Sequence, residues 1–76
     1  MTNIIEFEED KPVTLEIIVT ETDEIVYSAN LIDYMYTVGR VAHFFDIKVE
    51  LAIKAIDNKE FNRYGINYTI KIKEIK

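Results

Sequence analysis

Residues 13–20 read Val-Thr-Leu-Glu-Ile-Ile-Val-Thr. In an extended chain, Val13, Leu15, Ile17 and Val19 fall on one side and Thr14, Glu16, Ile18 and Thr20 on the other, because successive side chains of a strand point to opposite faces. A helix would scatter the same residues around its circumference, so the segment predicts a strand with one buried face. Such a strand needs neighbours to satisfy its backbone donors and acceptors. Polar Thr20-Glu21-Thr22-Asp23-Glu24 follows, and Ile25-Val26-Tyr27 resumes an extended pattern, so a β-hairpin is expected. Upstream, Ile4, Ile5 and Phe7 suggest a further short strand, with Asp10-Lys11-Pro12 as the break before the hairpin.

The period then changes. Leu31, Met35, Val38, Ala42 and Phe45 recur at steps of four and three, the spacing of one helical face. Ser28 or Asn30 is placed to cap that helix by accepting from a first-turn N–H. Gly39 lies inside the run and marks a break or a close packing contact. Beyond Asp46 a second stripe, Val49, Ala52, Ile53 and Ile56, predicts another helix ending near Asp57-Asn58. Asn62 to Gly65 reads as a turn. In the last stretch Tyr68, Ile70 and Ile72 alternate with Thr69, Lys71 and Lys73, a closing strand whose lysines sit across the sheet from Glu16 as a charge pair. The expected class is α+β, with an N-terminal hairpin, two helices and a C-terminal strand. The 76 residues form a single domain, 1–76.

A chain of this length buries only about 60% of the surface it exposes when unfolded. It contains no cysteine, so neither disulfides nor thiolate metal sites can supplement its core. The N-terminus has no basic segment leading into an apolar core, and no apolar run approaches the roughly 20 residues of a membrane span. These features predict a cytoplasmic protein that does not engage membranes. The abundance of Ile, Lys, Asn, Glu and Tyr points to an AT-rich genome such as that of a low-GC bacterium or its phage, in which case the location is the host cytoplasm.

The net charge of −5 is unevenly distributed. Residues 1–33 hold nine acids against Lys11, whereas residues 34–66 hold five bases against four acids. Nucleophilic catalysis needs a nucleophile, a base and an orienting group. The chain offers one Ser (Ser28), one His (His43) and no Cys. Ser28 is better read as a cap, and His43 has no His or Cys companion for a metal site. Glu21, Asp23 and Glu24 lack the ligand spacing and the glycine of a calcium loop. With Gly39 and Gly65 as the only glycines, a phosphate-cradling loop is impossible. The expectation is a non-enzymatic protein without a cofactor or metal.

The stretch TVGRVAHFFDIKVELAIKAIDNK, Thr37 to Lys59, resembles a helix-turn-helix. It is most similar to the small modular domain attached to homing endonucleases and other phage nucleases. The resemblance implies Thr37 as the cap, Val41-Ala42 as the small-residue pair, Ile47 as the turn residue, and Ala55-Ile56 as the end of the second helix. Tyr64-Gly65 followed by Tyr68 would match that family's closing strand. Asp46 stands where the family has a turn glycine. Lys48-Val49-Glu50-Leu51 replaces the polar start of its recognition helix. Under this resemblance the chain is a DNA-binding regulator, with Lys48, Lys54, Asn58, Lys59 and Arg63 as its nucleic-acid contacts.

The residues themselves favour another reading. With Val49, Ala52, Ile53 and Ile56 inward, the second helix would present Glu50, Leu51, Lys54, Asp57 and Asn58. Groove-reading helices need cations near phosphates and Arg, Lys, Asn or Gln at base edges. A protein partner, such as one with a basic nucleic-acid-binding surface, suits the acidic hairpin half better, and Glu16, Glu21, Asp23 and Glu24 are the candidate contacts. On the first helix Tyr36, Arg40 and Phe44 lie at i, i+4 and i+8. They are either buried between the sheet and the second helix or exposed as an aromatic–Arg contact stripe, which a domain with so small a core can also use to dimerise. The resulting expectation is a small acidic regulator or inhibitor that acts by protein–protein contact.

Overall fold

In a computed structural model of the chain, residues 11–75 are described. The strand expected around Ile4, Ile5 and Phe7 lies outside them. Six elements follow in order: β1 (Val13–Val19), β2 (Glu24–Leu31), α1 (Tyr36–Phe45), α2 (Val49–Asn58), β3 (Glu60–Arg63) and β4 (Ile66–Glu74). The strands form one antiparallel sheet in the order β2-β1-β4-β3. The class is α+β, as the alternation and the helical periods require.

β1 and β4 lie at the centre, with Leu15 opposite Ile72, Ile17 opposite Ile70 and Val19 opposite Tyr68. Their apolar rows join Leu31 of β2, and both helices close over this face. Val41 and Phe45 of α1 and Ala52, Ala55 and Ile56 of α2 complete the core with Val13, Leu15, Ile17, Leu31 and Ile70. At one end an aromatic cluster fills the space between α1 and the sheet. Phe45 packs against Phe61 with ring centroids 4.7 Å apart and edge-on to Tyr68 at 5.1 Å. Phe44 reaches Tyr27 at 5.5 Å. Such tilted and edge-to-face pairs contribute about 0.5–1.5 kcal/mol each beyond their buried area.

The other face of the sheet is mostly polar. Glu16 is flanked by Ser28 on β2 and Lys71 on β4, which places the Glu16–Lys71 pair directly across the two central strands. Thr14 lies between Asn30 and Lys73 and donates to the Asn30 Oδ1 at 2.9 Å. Ile18 departs from its expected outward, solvated place. It is buried on this polar face, where a register shift between Ile17 and Ile18 brings Ile25 opposite it, with Thr69 on the other side.

Four expectations are corrected. Ser28 and Asn30 cap no helix, because β2 runs through both, and α1 begins only at Tyr36 with no side-chain cap. Thr37 is likewise no cap: it lies inside α1, fully buried, donating its hydroxyl to the Tyr34 carbonyl at 2.7 Å. The inward face of α1 is therefore Thr37, Val41 and Phe45, while Met35 lies outside the helix and exposed. α2 is also turned from its expected setting, burying Ala52, Ala55 and Ile56 and leaving Val49 and Ile53 exposed. Small Ala52 and Ala55 let this helix approach its neighbours closely, and that favours the rotation. The turn expected from Asn62 to Gly65 is present, tightened to the two residues Tyr64 and Gly65, and it joins β4 to a strand the sequence did not suggest, β3. Arg63 pairs with Ile66, and Tyr64 and Gly65 both have positive φ, 52° and 82°. That is the type I′ pattern, whose twist matches the flanking strands.

Candidate functional site

The hairpin tip between β1 and β2 carries Glu21, Asp23 and Glu24, all exposed. Its backbone is held by bonds from the Thr22 and Asp23 N–H groups to the Val19 carbonyl, at 3.3 and 2.8 Å. Asp23 adopts φ 61°, and the Glu24 N–H donates to Thr22 Oγ1 at 3.3 Å. Thr20 anchors the base of the tip: its hydroxyl shares a 2.8 Å hydrogen bond with that of Thr69, and its N–H donates to the Asn67 carbonyl. Three carboxylates thus project from a tied loop. Glu16 stands apart, on the polar sheet face beside Lys71.

The Tyr36, Arg40 and Phe44 set divides. Phe44 is half-buried among Tyr27, Phe45 and Tyr68, so it belongs to the aromatic cluster. Tyr36 and Arg40 are exposed. Arg40 donates from Nη1 to the Tyr27 hydroxyl at 2.9 Å, which fixes its guanidinium along the flank of β2. Together with Asn30, Leu31 and Ile32 these two residues line a shallow recess between α1 and the end of β2.

The five candidate nucleic-acid contacts are spread out. Lys48 precedes α2, Lys54 is on its outward side, and Asn58 and Lys59 are at its far end. A ten-residue helix separates its ends by about 15 Å. Lys59 takes φ 62° to end the helix, and its carbonyl accepts the Ile70 N–H at 3.0 Å. Its side chain lines a second recess with Tyr34, Ile56, Lys71 and Lys73. Arg63 is on β3, with its guanidinium carbon 4.8 Å from the Tyr64 ring centroid. Glu50 and Asp57 are interspersed among these groups on the exposed side of α2.

Apart from Leu51, which was expected on the outward side of the second helix, the apolar residues that remain exposed escaped sequence reasoning. Val49, Leu51 and Ile53 of α2 are 53%, 45% and 47% exposed. Ile25 and Val26 on β2, and Ile32 and Met35 after it, are exposed too. A signal existed for α2: Val49 and Ile53 lie at one margin of its stripe, and Ala55 offers an equally good inward position.

The connection between the helices is short. Asp46 sits at φ 57° with its N–H bonded to the His43 carbonyl, the Ile47 N–H bonds to the Ala42 carbonyl, and Lys48 is extended before α2 starts. Among the described residues no group of three or more His, Cys, Asp and Glu side chains is placed to hold a metal ion, and no helix is long and apolar enough to cross a membrane. The fold and surface thus define a four-stranded antiparallel α+β domain bearing an acidic tip and a helix face on which exposed aliphatics are mixed with charged groups. Comparison with protein-family models, with curated proteins and with solved structures returns no match.

Proposed function

We propose that this chain is a small acidic, non-enzymatic binding protein, a regulator or inhibitor that acts by contact with another protein. The observation that carries the reading is the exposed side of α2. The helix that a helix-turn-helix would insert into a DNA groove presents Val49, Leu51 and Ile53 and the acids Glu50 and Asp57, with Lys54 its one cation and Asn58 its one amide. Exposed aliphatics gain by leaving water against another apolar surface, at about 25 cal/mol per Å². Carboxylates at the same place would meet the phosphate backbone with repulsion. The exposed carboxylates of Glu21, Asp23 and Glu24 support a partner with a basic patch, whose encounter they would accelerate at low salt.

Capture from a host lysate with the protein as bait, repeated with two variants, tests the reading. Leu51→Ser with Ile53→Ser should remove the captured protein, and Glu21→Gln with Asp23→Asn and Glu24→Gln should reduce it at low salt. Unchanged capture by both variants would refute contact through these surfaces. The alternative, a DNA-binding regulator, requires duplex retardation at about 50 mM salt that falls steeply as salt rises. The proposal expects no retardation there.

A further inference from the structure

Among the described residues no strand pairs with the outer side of the edge strand β2, and the sheet register fixes which of its peptide groups face that side. The Ile70 N–H donates to Lys59, on the β3 side. Ile70 therefore turns its peptide groups away from β1, and its cross-strand neighbour Ile17 turns its own toward β2. Ile17 opposes Tyr27, so Tyr27, Ala29 and Leu31 point their N–H and C=O groups into the sheet. Ser28 and Asn30 point theirs outward, to the unpaired edge.

Natural sheets guard such edges with Lys, Pro or inward charges. β2 has no Lys or Pro and only the irregularity at Val26 and the neighbouring Arg40 to guard it: Ile25 to Ile32 is the longest stretch of the chain without a charged residue, eight positions on a molecule of net charge −5. Val26 and Ile32, 38% and 69% exposed, stand on either side of the two outward-facing residues.

We propose that β2 pairs antiparallel with β2 of a second copy, about a two-fold axis at Ala29, making one continuous eight-stranded sheet. This register places Ser28 against Asn30 of the second copy, so the outward N–H and C=O groups of both residues bond reciprocally. It also brings Val26, at the irregularity of β2, near Ile32 just past the end of the second copy's β2, so that exposed aliphatics from the two copies adjoin on each side of the axis. Moving the axis to Ser28 would instead bring Asp23 and Asp33, just beyond the two ends of β2, toward each other across the two copies. Like charges directly opposite each other destabilise a strand pair. The interface is isologous, the ordinary form of a closed dimer. It uses neither the exposed side of α2 nor the acidic tip, so it stands or falls separately from the binding function proposed above.

The absence of cysteine makes the test direct. Sedimentation of the full chain over a concentration series should show a monomer–dimer equilibrium. Ala29→Cys should form a disulfide-linked dimer on mild oxidation, since directly opposed residues of a non-hydrogen-bonded pair lie about 4.5 Å apart at Cα. Ser28→Cys alone should cross-link weakly, and an equimolar mixture with Asn30→Cys strongly. Val26→Lys, at an exposed position, should give a folded monomer with unchanged cooperative melting. The Ser28 and Asn30 amides should become protected from hydrogen exchange as concentration rises. A chain still monomeric at roughly millimolar concentration would overturn the proposal. So would a dimer in which Ala29→Cys cross-links no better than Glu50→Cys, or Ser28 and Asn30 amides protected only when a captured protein is present.

Discussion

At the scale of single residues, two positions hold backbone conformations or residue types that cost stability without an evident return. Gly39 lies on the exposed side of α1, and a Cβ there would meet nothing within 4 Å. It is neither the break nor the close contact its position suggests. Gly39→Ala should stabilise the fold by about 1 kcal/mol, roughly 4–8 °C in Tm for a domain this size, as calorimetry would show. Asp46 is the second case. Its φ of 57° is the left-handed conformation for which glycine is favoured after a helix. The aspartate thus keeps the backbone of a glycine turn while placing a negative charge at the negative end of the α1 dipole. Asp46→Gly should raise stability by about 1 kcal/mol, and urea melts should show a higher midpoint at unchanged slope.

At the scale of elements, burial separates residues that alternation and periodicity treat alike. Phe45 anchors the aromatic cluster from the last turn of α1, and Phe45→Ala should cost about 3–5 kcal/mol, enough to leave so small a domain largely unfolded by circular dichroism. Ile53→Ser should change the melting temperature little, since surface substitutions usually stay within about 0.5 kcal/mol. The strands were legible because period two admits one buried face: Leu15, Ile17, Ile70 and Ile72 all fall where alternation puts them. The helices were legible as helices but not in rotation. Thr37 hides the inward row of α1 by being polar, and Ala55 hides that of α2 by being small. β3 was not legible, because Glu60–Arg63 carries a single apolar residue, Phe61, and is defined by pairing with β4. Of the candidate contacts, the acidic tip was visible as charge. Leu51 was visible as outward, whereas the exposure of Val49 and Ile53 follows from a rotation that only tertiary packing decides.

At the scale of the whole molecule, the two hairpins are local but the pair that unites them is not. β1 and β4 bring together residues as far apart as Val13 and Glu74, 61 positions along the chain. Amides bonded between these two strands should share the slowest exchange rate, set by global unfolding, while the outward Ser28 and Asn30 amides exchange fastest in the monomer. Either hairpin alone would be marginal, since two strands without a covered face are barely stable in water. The middle of the sheet therefore cannot exist until β4 has been synthesised. Until β4 has left the ribosome, the Val-Leu-Ile-Ile-Val core of β1 has one unpaired edge, and α1 and α2 have only half a sheet to close over. During that time the nascent chain is a substrate for holdases and proteases, and cellular abundance should depend on how quickly β4 follows β1.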